Sequence, residues 1–340
     1  MTWSSRQQLR SPVRWRNETR VAMNVSTIET KPQESIEVQP QESITPRLET
    51  SPVHVKGILA ATDFSEQATL ALKFAARLAR RLHSRLHVLY NVTPQLYVAD
   101  TAILSAELLR VEVERGEHQL NEYASKIPEV RTMRHEEIAL CGSTIDQISA
   151  VAEMKGIDLV VMGSHGRGGL KKMVLGSVAE AAISRLHCPV LVVGPRCTRR
   201  FGPLKSMAFA TDLRADSLRA AQYAMSIARQ SQSALTVVHV VPMHIGGMDM
   251  PDMDIHKHVA KELRQLIPRD PELERHVDFE IAAGNTANEI LRIAKQSKAG
   301  LIVMGAHEHS ALADHVPWST LSAVIRESHC PVLAVQSHFA

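Results

Sequence analysis

At 340 residues the chain has room for two domains of ordinary size, each able to bury its own core. With 44% hydrophobic and 22% charged residues it reads as a globular protein, and a net charge of +3 is too small to argue for nucleic acid or an anionic membrane surface. No apolar run is long enough to cross a membrane, and the 4 cysteines form no CxxC pair, so neither a zinc signature nor a disulfide framework is present and a reducing cytoplasm fits best.

The first 52 residues stand apart. Residues 1–22 carry five arginines without the apolar stretch of a secretory signal, and an organelle transit peptide fits poorly with the Pro- and Glu-rich segment behind them. PQESI occurs twice, at 32–36 and 40–44, in a segment dominated by Pro, Gln, Glu and Ser that offers little to a core. A disordered tail over 1–52 is expected, and Met23 is a candidate alternative start.

From residue 53 short apolar runs alternate with helical patterns. VKGILAA (55–61) predicts a strand, and Phe64-Ser65-Glu66 opens a helix with Leu70, Phe74, Ala75, Leu78 and Leu82 on one face. LHVLYNV (86–92) predicts a strand, 105–126 a helix and RHEEIAL (134–140) a third strand, after which Ser143 is placed to cap a helix carrying Ile145, Ile148 and Val151. DLVVMG (158–163), a helix over 177–186 and VLVV (190–193) complete the unit. Strands apolar on both faces, alternating with helices, predict a parallel sheet covered on both sides.

The unit then repeats. ILAATDFSEQATLALKFAARLA (58–79) aligns with MAFATDLRADSLRAAQYAMSIA (207–228) at an offset of 149, and later landmarks align at 142, so the second copy is seven residues shorter between about 93 and 141. The reading is an α/β chain of two tandem doubly wound domains, 53–195 and 205–340, joined by a linker at 196–204.

In such sheets ligands bind beyond the carboxyl ends of the strands, near a topological switch point. In copy one Ala61-Thr62-Asp63 ends the first strand, and Met162-Gly163 ends the fourth, where Ser164-His165-Gly166-Arg167 begins a loop running to Gly176-Ser177-Val178. Glycines at 163 and 166 are expected to turn with positive φ and to admit a ligand close to the backbone. Gly176-Ser177 opens a helix whose first N–H groups form a ready anion site, and Arg167, Lys171 and Lys172 add positive charge. Asp63 suits a ribose hydroxyl or a divalent ion such as magnesium or manganese.

The pattern G-x2-G-x9-G-S is neither the Walker A loop nor the dinucleotide fingerprint. Together with TDFS (62–65) and CPVLVV (188–193) it resembles the universal stress protein family in its ATP-binding branch, in tandem form. The resemblance implies an adenine-nucleotide-hydrolase-like fold and a cytoplasmic ATP-binding regulatory protein of the general stress response. It further implies ATP contacts at Ala61, Thr62, Asp63, Met162, Gly163, Ser164, His165, Gly166, Arg167, Gly176, Ser177 and Val178. The family often has an aliphatic residue near the adenine, where this chain has Asn91, which puts base preference in doubt. It also implies pairing of the domains through 190–193 and 332–335 as an internal pseudo-dimer, a further homodimer, and regulatory protein partners.

Copy two keeps Thr211-Asp212, Gly305, His307 and Ser319, but Glu308 and Trp318 replace two glycines and Asp314 adds a charge. A carboxylate where phosphate would lie, and an indole where backbone must approach it, predict that copy two does not bind ATP in this way. Asp212 is then expected to serve as a helix N-cap. Enzymatic turnover has weak support, at most slow ATP hydrolysis, because no nucleophile sits beside a base in the pattern. A module that binds no nucleotide is the other alternative. Cys188 and Cys330 read as buried structural thiols. The histidines of copy two do not make a metal signature, since His256 and His258 are i, i+2 on a predicted helix.

Overall fold

The computed structural model describes residues 14–15, 53–92, 102–166, 175–197, 204–214, 217–241, 253–266, 275–306 and 317–336. Of the expected tail only Arg14–Trp15 (β1) is described, paired antiparallel with one outer strand of the sheet. Copy one continues as β2 (Gly57–Thr62), α1 (Glu66–Leu82), β3 (Arg85–Val92), α2 (Ala102–Ser125), α3 (Pro128–Arg131), β4 (His135–Cys141), α4 (Thr144–Lys155), β5 (Leu159–Gly163), α5 (Ser177–Arg185) and β6 (Val190–Val193). Copy two has β7 (Ser206–Ala210), α6 (Leu218–Ser231), β8 (Ala234–Val241), α7 (Met253–Gln265), β9 (Val277–Ala283), α8 (Thr286–Gln296), β10 (Ile302–Ala306), α9 (Pro317–Glu327) and β11 (Val332–Gln336).

The strands lie in one sheet in the order β1-β9-β8-β7-β10-β11-β6-β5-β2-β3-β4. Within each copy the pairing is parallel and the first strand sits between the second and the fourth. Chain order therefore reverses direction at β2/β5 and again at β7/β10, which are the two switch points. The closing strands meet antiparallel, with Val332 opposite Val192, Leu333 opposite Leu191 and Ala334 opposite Val190. All six side chains are fully buried, so the seam removes two hydrophobic edges at once.

Two apolar layers cover the sheet, and each runs without a break across the seam. One contains α1 and α6 with the buried faces of both halves, and the other contains α4, α5, α8 and α9. The α1 sequence shows why its helix forms and stops. Ser65 caps it by accepting from Ala68 N at 3.2 Å, its apolar residues bury on one side, and Arg80 and Arg81 lie in the last turn, where they oppose the helix dipole. His83 then ends it in the left-handed region at φ 56°. Polar bonds cross between copies as well: Arg219 of α6 donates to the carbonyl of His187 (3.1 Å), Gln336 Nε2 donates to Ile183 O (2.7 Å), and Gln230 donates to Val53 O at 2.9 Å.

Candidate functional site

The switch point of copy one brings together two segments about a hundred residues apart in sequence. Thr62 ends β2 level with Tyr90 of β3, so Asp63 projects beyond the sheet and Asn91 lies level with it on the next strand. Phe64 takes a left-handed φ of 64°, an uncommon conformation for a residue with a bulky side chain. The turn is held by the side chains before it: Thr62 Oγ1 accepts from Phe64 N (3.1 Å) and Asp63 Oδ1 accepts from Ser65 N (3.0 Å). Phe64 packs against Tyr90 and Tyr123 with ring centroids 4.3 and 4.8 Å away. The Tyr123 hydroxyl, which burial pushes to a higher pKa, donates to Thr69 Oγ1 at 2.8 Å. Tyr123 and Thr69 were not legible as neighbours of this strand tip, because nothing in a helical pattern says which turn faces it.

On the neighbouring strand Met162 is buried and Gly163 ends β5 opposite Val193. The loop beyond it folds back on itself. Ser164 N donates to Val193 O at 3.0 Å, and Gly176 N donates to Ser164 O at 2.7 Å, which brings the end of the loop against its beginning. Ser164 is buried and its Oγ lies 2.9 Å from His165 Nδ1. This serine–imidazole pair corrects the expectation that no hydroxyl stands beside a base. The serine is enclosed, however, and is not presented to a substrate.

The positive φ expected of the glycines is not found. None of Gly163, Gly166 and Gly176 has a left-handed φ; Gly176 sits at φ −67° and ψ 145°. What each lacks room for is a Cβ. At Gly166 a Cβ would collide with Asp63 Oδ2. At Gly176 it would lie 2.9 Å from Ser164 O, and at Gly163 3.0 Å from Gln67 Cβ and 3.1 Å from Ala68 N. The three glycines therefore let the loop close against the β2 tip and the first turn of α1, and so set the loop's path. Gly176 is also the N-cap of α5 and offers no side-chain acceptor to the first turn. The leading N–H groups of a helix have no partner within it, so this end favours an anion. Val178, in that same turn, is 39% exposed. Arg167, Lys171 and Lys172 lie outside the described residues.

Asn91 is tied sideways. Its Nδ2 donates to Gly142 O (2.9 Å) and Thr144 Oγ1 (3.0 Å), while its Oδ1 is buried without a hydrogen-bond partner among the described residues. Gln67 Oε1, beside Gly163, is likewise buried and unpaired there. Ala61, the last residue singled out at this tip, is half-buried in β2.

Copy two repeats the strand tip and changes its surroundings. Leu213 has the same φ of 64°, and Thr211 Oγ1 accepts from Leu213 N at 3.0 Å. Asp212 does not cap a helix as expected. Ser217 holds the N-cap position of α6, and Asp212 Oδ1 instead accepts from Ser217 Oγ (2.6 Å) and Arg214 N (3.1 Å). Residues 307–316, with His307, Glu308 and Asp314, lie outside the described residues, as do the side chains of Trp318 and Ser319. Among the described residues no group of three or more His, Cys, Asp or Glu is placed to hold a metal ion. Cys188 and Cys330 are buried, and burial pushes each thiol up to about 11.

The sequence pattern of the universal stress protein family matches residues 54–194 and 203–336, well over half the chain and both repeats. The chain belongs to the universal stress protein family. Universal stress protein MJ0531 of Methanocaldococcus jannaschii is 36% identical over 139 residues, covering 41% of this chain and 81% of that protein. MJ0577 of the same organism is 33% identical over 156 residues, covering 42% and 96%. Slr1230 of Synechocystis is 24% identical over 301 residues, covering 82% of this chain and 99% of its own, which is a match across both copies. The crystal structure of a universal stress protein from Archaeoglobus fulgidus superposes with a TM-score of 0.62 at 21% identity, covering 84% of this chain and all of that one. This universal stress protein therefore carries the α/β fold of its family in two tandem copies, and no helix among its described residues is long and apolar enough to cross a membrane.

Proposed function

We propose that this universal stress protein binds ATP at the switch point of copy one, that copy two does not bind it in the same mode, and that the protein acts as a nucleotide-sensing regulator rather than an enzyme. The observation that carries the reading is the contact between Gly166 and the Asp63 carboxylate. It puts a group suited to a ribose hydroxyl or a divalent ion directly beside the loop that leads to the open first turn of α5. Phosphate oxygens would take the backbone N–H groups of that turn, with His165 and Arg167 nearby in sequence. At the matching position in sequence copy two has Glu308, a carboxylate in place of a glycine, and Asp212 is already engaged by Ser217. Cytoplasmic residence, a divalent ion with the nucleotide and regulatory protein partners belong to the same reading.

Turnover has weaker support. Ser164 and His165 are paired but the serine is buried, and a nucleophile must be presented to act. The test is to release small molecules from purified protein with acid, identify them, and titrate the emptied protein with ATP by calorimetry. One ATP per chain with negligible hydrolysis is expected. Two ATP per chain would remove the asymmetry, ADP accumulation under turnover would make the protein an ATPase, and no binding would leave an interaction module.

A further inference from the structure

The loop of copy two no longer matches a phosphate site, yet the charges of copy two are concentrated elsewhere. A cleft of about 940 Å³ runs between α8 and α9, from Asn285 and Thr286 at the first turn of α8 to Lys298 at its far end. Five guanidinium or ammonium groups line it, from Arg196, Arg292, Lys295, Lys298 and Arg326, against the carboxylate of Glu327, and Arg292 is also paired with Glu289 of its own helix at 2.7 Å. Glu327 is shared: it pairs with Arg196 at 2.6 Å and with Arg326 at 3.0 Å. Lys295 and Lys298 are exposed and form no ion pair with a described residue. The floor is apolar, made by Ala287, Leu291, Ala294, Ala299 and Ala323.

Copy one shows that the fold does not require this charge. At the repeat offset of 142, Arg292, Lys295, Lys298 and Arg326 stand where copy one has Ala150, Glu153, Gly156 and Ser184. The exchange at 298 is the most telling. Gly156 ends α4 at φ 59°, a conformation that suits glycine, and Lys298 holds φ 53° at the matching position. A side chain in the left-handed region costs on the order of 1 kcal/mol over glycine. The chain therefore carries an ammonium group at the mouth of the cleft at a position where glycine would relieve strain.

We propose that the α8/α9 cleft binds a small organic phosphate, its anionic groups held by Arg292, Lys295, Lys298 and Arg326 and its apolar body resting on the alanine and leucine floor. The volume suits a ligand of nucleotide size or smaller, and forked guanidinium groups match phosphate oxygens. Among the lining residues His329 is the only one with a ring, so the cleft lacks the stacking platform that single-stranded nucleic acid uses.

The test uses the full chain with Gly166→Leu and Gly176→Val introduced to close the copy-one loop, titrated with 1-naphthyl phosphate, inorganic pyrophosphate and a hexaglutamate peptide. The same titrations are made after exchanging the four cations for their copy-one counterparts, Arg292→Ala, Lys295→Glu, Lys298→Gly and Arg326→Ser. Saturable binding of naphthyl phosphate, tighter than pyrophosphate and weakened at least about 10-fold by the exchange, is the expected result. Because the exchange could disturb folding, Lys295→Glu alone, on an exposed site, is measured alongside and should weaken binding in the same direction with an unchanged melting temperature. No saturable binding, binding indifferent to Lys295→Glu, or hexaglutamate bound more tightly than naphthyl phosphate would overturn the proposal.

Discussion

The two strand tips of this protein have nearly one backbone and two chemistries. Phe64 and Leu213 share a left-handed φ of 64°, and each is held by the threonine two residues earlier, at 3.1 and 3.0 Å. The difference begins at the next residue. Ser65 caps α1 and leaves Asp63 beside the glycine loop, whereas copy two has Arg214 at that position, begins its helix only at Leu218, and engages Asp212 with Ser217. The tip is thus a feature of the fold, kept whether or not a ligand is bound there. On the proposed reading, what sets ligand competence is a few side chains around an unchanged backbone.

The largest effect is expected where the copies are joined rather than where they differ. Leu191→Asp places a charge at a fully buried seam position opposite Leu333 and should destabilise the chain by at least about 3 kcal/mol in denaturant unfolding. If the copies were independent, the mutation would shift the unfolding of copy one alone. Next comes the conversion of one copy into the other. Gly166→Glu sets a carboxylate against Asp63 and should weaken ATP binding about 100-fold, close to 3 kcal/mol, by calorimetry. The converse, Glu308→Gly with Trp318→Gly, should raise the stoichiometry above one, and an unchanged stoichiometry would show that more than the loop separates the copies.

A smaller effect distinguishes the copies by pH. Burial holds the imidazole of His239, whose Nδ1 lies 2.9 Å from Thr211 O, below its ordinary value of 6.5. The folded state then binds fewer protons than the unfolded one, so stability rises with pH and is lost as pH falls below about 6.5. Copy one has Tyr90, not a histidine, at that position. Hydrogen exchange, corrected for intrinsic rates, should show the ends of β8 and β9 loosening between pH 7.5 and 5.5 more than those of β3 and β4. Equal loosening of both would assign the effect elsewhere. The smallest change is expected from Asn91→Val. On the proposed reading Asn91 stands near the base, and its Oδ1 is buried without a hydrogen-bond partner among the described residues, so the preference between ATP and GTP should move by no more than about 10-fold. A larger change would make Asn91 a principal reader of the base.

Much of the architecture was legible in advance, since the strands over 86–92, 158–163 and 190–193 and the helix opened by Ser65 fall within a residue or two of their expected limits. Continuous apolar runs and helical periodicity are local signals, and both copies carry them. The short helix α3 was not foreseen, because one turn beginning at Pro128 leaves no periodicity to read. At the candidate site, spacing singled out three glycines, but the positive φ expected of them is absent. A positive φ is a property of one residue's backbone, whereas a missing Cβ at Gly166 answers to Asp63, 103 residues away.

By itself the sequence determined the repeated α/β unit, its parallel strands and the residues at the carboxyl ends of those strands, because each arises from short-range pattern and from duplication. It also marked copy two as altered, since Glu308 and Trp318 are visible against their aligned glycines. Only the tertiary structure decided that Gly166 backs onto a carboxylate, that Asp212 turns to Ser217, and that four cations scattered over 35 residues line one cleft between α8 and α9. Those are relations between elements brought together by the sheet, and distance through space is what a one-dimensional pattern does not encode.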